Sequence, residues 1–158
     1  MTLLLKLIPE FIAGMISSIG FGLVFSIPKK TLIVSGLNGG FAWIVYKLIL
    51  KATGGVYMST FISAFMIATI SEFLAKKLRY PASIFIFPGV INLCPGVFIY
   101  RTMSFFIAGN SQTAISNLYQ AIAIAGAIAF GVLLASSFST SLRHFRNRSA
   151  KRTDLSRS

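Results

Sequence analysis

Apolar residues gather in five long segments separated by short polar stretches. The segments cover residues 11–27, 31–50, 52–74, 81–103 and 118–138. Each is close to the roughly 20 apolar residues that a helix needs to cross the hydrocarbon core of a bilayer. The pattern predicts an all-α, polytopic integral membrane protein with five transmembrane helices. We expect a five-span transmembrane domain over residues 1–142, followed by a basic tail over residues 143–158.

The composition supports membrane insertion. Hydrophobic residues make up 55% of the chain and charged residues 11%, less than half of the roughly 25% that is usual in soluble proteins. A soluble chain of 158 residues could not bury that much apolar surface. We therefore take the lipid bilayer as the surroundings of this chain.

The basic residues lie in clusters between the apolar segments. Fifteen lysines and arginines face three acidic residues, which gives a net charge of +12. Eleven of the cations fall in loops 28–30 and 76–79 and in the tail, and four fall on the opposite side of the predicted membrane. The positive-inside rule then predicts an N-terminus outside and a C-terminus in the cytoplasm. This distribution is typical of membrane topology signals, so binding to nucleic acid is not expected.

The fourth apolar segment contains two Pro-Gly pairs, Pro88-Gly89 and Pro95-Gly96, with Asn92 between them. Proline removes a backbone donor and interrupts a helix. Such breaks at membrane depth are tolerated where the freed backbone groups meet protein, water or a ligand, and transporters use them to build substrate sites. The segment therefore predicts a broken helix in a substrate path, with a simple proline kink as the alternative.

Five further residues extend the list of candidates along the chain. Arg101, next to Tyr100, closes the fourth segment, either as an interfacial cation that reaches the headgroups or as a fork for a substrate carboxylate.

The small residues Gly14, Ser18 and Gly22 recur every fourth position in the first segment. Small residues at this spacing let membrane helices approach closely, within this chain or against a second subunit.

Two acidic residues lie at the ends of spans. Glu10 is four residues after Lys6, and Glu72 is four residues before Lys76. Each acid is therefore expected either to form an ion pair along its own helix or to couple transport to protons.

Enzymatic chemistry has no basis in this sequence. The chain has one cysteine, Cys94, and one histidine, His144, which stands among arginines. They provide no spacing for a disulfide or a metal site and no catalytic constellation. We expect no cofactor and no enzyme activity, and the first apolar segment lacks the features of a cleavable signal.

The broken segment resembles a known family. Residues 90–96, Val-Ile-Asn-Leu-Cys-Pro-Gly, with Tyr100 and Arg101 after them, are similar to the pattern Ile-Ile-Pro-Leu-Val-Pro-Gly followed by Tyr-Arg in the threonine/serine exporter family, in its small-subunit form. Stretches 19–28, 36–40 and 59–61 also resemble the family. Asn92 stands where the family pattern has its first proline, and the extra Pro-Gly pair lies three residues earlier.

This resemblance implies a multi-pass subunit in the cytoplasmic membrane of a bacterium. Family members export threonine and serine or, in the two-subunit form, dicarboxylates such as succinate. The partner would be a larger subunit with five further spans and a cytoplasmic N-terminal domain. Two five-span halves of opposite orientation would form an inverted repeat. The alternatives are a non-transporting subunit that stabilises a larger carrier and a self-sufficient homo-oligomeric transporter.

Overall fold

The computed structural model describes the backbone of residues 2–155 and the side chains of residues 7–139. Within residues 2–155 every regular element is a helix. The six helices are α1 (Thr2–Val24), α2 (Lys29–Thr53), α3 (Val56–Leu78), α4 (Ser83–Ile91), α5 (Gly96–Ile107) and α6 (Ser111–Leu155). The all-α prediction is therefore confirmed for the described residues.

Four of these helices are long and apolar enough to cross a membrane. A fifth crossing is added if α4 and α5, which meet at an angle of 48°, together form one bent span. The predicted break in the fourth segment is thus present, at residues 92–95. The prediction that both Pro-Gly pairs interrupt the helix is wrong, because Pro88 and Gly89 lie inside α4.

The predicted ends of the first and last spans also need correction. α1 ends at Val24, before residue 27, because the chain turns at Ser26, whose φ of 54° is left-handed. α6 begins at Ser111, seven residues earlier than predicted, and its backbone remains helical to Leu155. Residues 156–158 lie outside the described part of the chain.

The interior of the bundle is rich in small and polar side chains, packed with a few large apolar ones such as Phe85 and Ile67. Fully or nearly fully buried residues include Ser18, Ser35, Ser63 and Ser71, whereas large apolar side chains such as Ile16 (60% exposed) cover the outside. This inverted pattern fits a membrane protein, in which close packing and interhelical hydrogen bonds join the helices. A small apolar cluster of Ala68, Ile86 and Ala135 joins α3, α4 and α6.

The two halves of the bent pair have different surroundings. α4 packs against α1, α2 and α3, whereas α5 makes its main contact with α6. The break between them is therefore the point at which the chain leaves the bundle interior, and it lies beside α1 and α2.

Candidate functional site

The proline inside α4 leaves one carbonyl without its usual partner. Pro88 has no N–H, so the carbonyl of Ile84 cannot receive the normal bond from four residues later. The Ser35 hydroxyl of α2 donates to this carbonyl at 3.1 Å. A neighbouring helix thus supplies the donor that proline removed, and α4 continues past Pro88.

The end of α4 frees a second carbonyl. The backbone N–H of Asn92 bonds to the Val90 carbonyl instead of reaching back to Pro88. The buried Ser18 hydroxyl of α1 donates to the Pro88 carbonyl at 2.9 Å. These two carbonyls of α4 are therefore bonded to serines of other helices, as the low-dielectric interior requires.

The Asn92 side chain fixes the break against α1 and α2. Its Nδ2 lies 2.9 Å from the Gly14 carbonyl, 2.9 Å from Ser18 Oγ and 3.4 Å from the Gly39 carbonyl. An amide nitrogen has two hydrogens, so the two short contacts use its donors. We call Gly14, Ser18, Gly39, Asn92 and the Pro88 carbonyl the Asn92 cluster.

Glycines allow the helices to approach closely enough for this cluster. A Cβ on Gly39 would collide with Ser18 Oγ, and a Cβ on Gly89 would collide with the Ile67 side chain of α3. A Cβ on Gly14 would lie 3.2 Å from the Trp43 Cβ. Backbone contact at these positions is what brings three helices around one break.

The other small residues of the first span pack on α2 as well. A Cβ on Gly22 would lie 2.6 Å from the Leu32 Cδ1. Gly14, Ser18 and Gly22 thus face other helices of this chain, whereas contact with a second subunit remains a prediction.

The remaining residues of the predicted substrate path are spread along α5. Pro95 is buried at the break and Gly96 begins α5 in an exposed position. Tyr100 is 73% exposed and Arg101 is also exposed, so neither joins the Asn92 cluster. The structure therefore brings Asn92 together with Pro88 and Gly89, and it separates these residues from Tyr100 and Arg101.

Glu10 forms an ion pair with a neighbouring helix. Glu10 Oε1 lies 3.2 Å from Lys47 Nζ of α2, and this ammonium stands 5.5 Å above the Trp43 ring. The other carboxylate oxygen, Oε2, is buried without a partner among the described residues. The side chain of Lys6 lies outside the described residues.

Glu72 and Lys76 are joined through a third residue. Lys76 Nζ donates to Ser139 Oγ at 2.7 Å, and Ser139 Oγ donates to Glu72 Oε2 at 3.2 Å. The expected direct ion pair between Glu72 and Lys76 is therefore wrong, because a serine of α6 stands between the two charges. The arrangement ties α3 to α6.

A second buried amide was missed from the sequence. Asn38 of α2 is 4% exposed, and its Nδ2 donates to Ser71 Oγ of α3 at 2.9 Å. Its Oδ1 has no partner among the described residues. The sequence signal that could have found Asn38 is a polar residue within an apolar segment, and Ser35 gives the same signal. Asn38 faces α3, whereas Gly36 and Gly40 of the same helix face α1.

The chemistry available at the break is hydrogen bonding. The described residues contain no group of histidine, cysteine and acidic side chains that could hold a metal ion. Amide, hydroxyl and backbone carbonyl groups can exchange hydrogen bonds with a small polar solute, and none of them provides a nucleophile with an adjacent base. The arrangement fits binding and passage better than catalysis.

Comparison with known proteins agrees with this chemistry. The family model "Threonine/Serine exporter, ThrE" matches residues 10–138. An uncharacterized protein of Haemophilus influenzae is 26% identical over 139 residues, which cover 83% of this chain and 47% of the relative. The chain thus spans about half the length of this curated relative, and no solved structure gives a significant match. With a matching model over most of its length and an interrupted, apolar helical bundle, the chain belongs to the threonine/serine exporter family.

Proposed function

We propose that this chain is the small subunit of a two-component secondary exporter, which moves threonine and serine, or dicarboxylates such as succinate, across the cytoplasmic membrane of a bacterium. The observation that carries the proposal is the break at residues 92–95, held against α1 and α2 by the Asn92 cluster. A helix interrupted at membrane depth is the usual place for a transporter to bind its solute.

A second, larger subunit is part of the proposal. The match covers 47% of the H. influenzae relative, so that protein contains about as much chain again beyond the shared region. A five-span chain has its two ends on opposite membrane sides, and the clusters of lysine and arginine favour a cytoplasmic C-terminus. A partner with five spans of opposite orientation and a cytoplasmic domain would complete an inverted pair.

The two acids are proposed as coupling groups with different surroundings. Glu10 is paired with Lys47, and one of its oxygens is buried with no partner among the residues whose side chains are described. Glu72 accepts a hydrogen bond from the Ser139 hydroxyl, which in turn accepts one from Lys76. An acid that changes its partner when a proton arrives could link transport to a proton gradient, and Glu10 is favoured because its ion pair joins two spans directly.

The experiment is an efflux assay in cells that lack this chain. Cells are loaded with threonine, serine or succinate, and release is followed with this chain, with the candidate larger subunit, or with both. Efflux of one solute only when both are present is the expected result. Efflux with this chain alone would establish a self-sufficient transporter, and no efflux of any of the three would contradict the proposed substrates.

The role of the break is tested by a matched pair of substitutions. Asn92→Ala removes the amide that bonds to α1 and α2. Asn117→Ala removes a buried amide whose one bond among the described residues is to the Thr113 carbonyl of its own helix. We expect Asn92→Ala to lower efflux at least tenfold with normal membrane insertion, and Asn117→Ala to keep it within twofold. Equal efflux in both variants would favour a subunit that stabilises the carrier without lining its path.

A further inference from the structure

We infer that the exposed side of α5 formed by Tyr100, Arg101 and Ser104 is the docking surface for a membrane-spanning helix of a different polypeptide, which carries a carboxylate opposite Arg101. The inference rests on the proposed function, because this polypeptide would be the second half of the exporter. It goes further in naming the surface and the chemistry of the partner helix.

α5 is the least covered helix of the apolar bundle. Of its twelve residues only Thr102 is buried, and its main packing is against α6. Tyr100 is 73% exposed, Met103 63% and Ile107 89%. In contrast α4, the other half of the same bent pair, has four buried residues among nine.

The exposed side of α5 carries polar groups. Tyr100, Arg101 and Ser104 lie within one helical turn and therefore share one side of the helix. Each of these three side chains lacks a hydrogen bond or ion pair to any other side chain or backbone group in the described part of the chain. Lipid tails offer no partner either, and polar side chains in such positions commonly join one membrane helix to another.

A spanning helix that carries a carboxylate can bond to more of these polar groups than a lipid headgroup can. Arg101 lies six residues before the end of α5, about 9 Å along the helix axis. A headgroup phosphate within reach of its long side chain would leave the hydroxyls of Tyr100 and Ser104 facing lipid. A helix packed along α5 can bond to all three groups at the same depth.

A second copy of this chain does not provide that carboxylate. The chain has three acidic residues. Glu10 is paired with Lys47, and Glu72 is bonded through Ser139. Asp154 lies near the end of α6 that is distant from α5. A two-fold contact through α5 would also place one Arg101 near another, and like charges repel across such a contact.

The partner would come from the part of the exporter that this chain does not contain. The H. influenzae relative extends over about twice the matched region. A split exporter must rejoin its halves within the membrane, and a charged pair between spanning helices sets which surfaces meet.

The test is crosslinking in native membranes. Tyr100 is replaced by benzoylphenylalanine, which is also aromatic, and Phe73, which is 67% exposed on α3, is replaced in the same way as a control. Irradiated products are digested and their peptides sequenced by mass spectrometry. We expect a product at position 100 that joins α5 to a spanning segment of another polypeptide with Asp or Glu within one turn of the crosslink.

Charge variants then test the pairing. Arg101→Glu should lower the yield of this product at least tenfold, Arg101→Lys should keep it within threefold, and reversing the partner's acid to lysine should restore it in Arg101→Glu. A product with a second copy, a product with a helix that lacks an acid, lipid adducts alone, or a yield that is unchanged in Arg101→Glu would each overturn the inference. The efflux assay separates the two proposals: if efflux requires two chains while position 100 gives only lipid adducts, the proposed function stands and this inference fails.

Discussion

Replacement of the buried Ser18 hydroxyl tests the physical account of the broken helix. Ser18→Ala removes the donor to the Pro88 carbonyl and one of the two short contacts of Asn92. The change removes one oxygen atom and leaves the packing of Cβ against Gly39 in place. Its effect should therefore come from hydrogen bonds rather than from a cavity.

The size of the stability loss in Ser18→Ala depends on which polar groups lose all their hydrogen-bond partners. The Pro88 carbonyl receives no bond from the Asn92 N–H, so loss of Ser18 Oγ leaves it buried and unpaired, at a cost of about 1–3 kcal/mol. Asn92 keeps its contact with the Gly14 carbonyl, and loss of its contact with Ser18 adds about 0.6 kcal/mol, the average for hydrogen bonds between membrane helices. We expect the free energy of unfolding to fall by about 1.6–3.6 kcal/mol in total.

The assay is reversible unfolding in mixed micelles with increasing denaturing detergent. Ser17→Ala is the matched control, since it is the same change one position earlier, at a hydroxyl that bonds to no group within the described residues. We expect the control to stay within about 0.5 kcal/mol of the unsubstituted protein. Equal stability of Ser17→Ala and Ser18→Ala would refute the claim that serines of neighbouring helices stabilise the break.

Two further predictions concern packing and charge. Gly39→Ala should lower the free energy of unfolding by at least about 2 kcal/mol, because the added Cβ would collide with the Ser18 hydroxyl. Gly20 has open space around it, so Gly20→Ala should raise the free energy of unfolding by up to about 1 kcal/mol through helix propensity. Comparable losses of stability in both variants would contradict the close approach of α1 and α2. Ser139→Ala should lower the free energy of unfolding by about 1 kcal/mol, because Glu72 loses its hydrogen bond to α6. The control in the same unfolding assay is Ser137→Ala, at an exposed position of the same helix. Equal stability of these two variants would show that the link between α3 and α6 contributes nothing to stability.

The spans could be predicted because hydropathy reports the solvent around each segment. The apolar segments, the break in the fourth one and the place of Asn92 at that break all follow from apolar runs and from proline and glycine inside them. Helix ends were predicted less well. α6 extends beyond its apolar run at both ends, since a helix can continue through polar residues once it leaves the hydrocarbon core.

The partners of the polar residues could not be predicted from one sequence. Whether Pro88 breaks a helix depends on a donor to the Ile84 carbonyl, and Ser35 of α2, 49 positions before Ile84, supplies it. Glu10 likewise pairs with Lys47, 37 positions away. Spacing along the chain reveals neighbours on the same helix, whereas contacts between helices depend on packing that the sequence does not display.

Labelling of Cys94 tests most directly whether the break lies in the substrate path. It is the chain's single cysteine and is exposed at the break, so a thiol reagent labels this position without engineering. Cells that carry the complete exporter are treated with a maleimide, and both the labelled fraction and efflux are measured. Cys94→Ser with Ser137→Cys, which moves the thiol to an exposed position on α6, is the control. We predict that labelling of Cys94 stops efflux, that the transported solute slows this labelling, and that neither effect occurs in the control. Complete labelling of Cys94 with undiminished efflux would contradict the account.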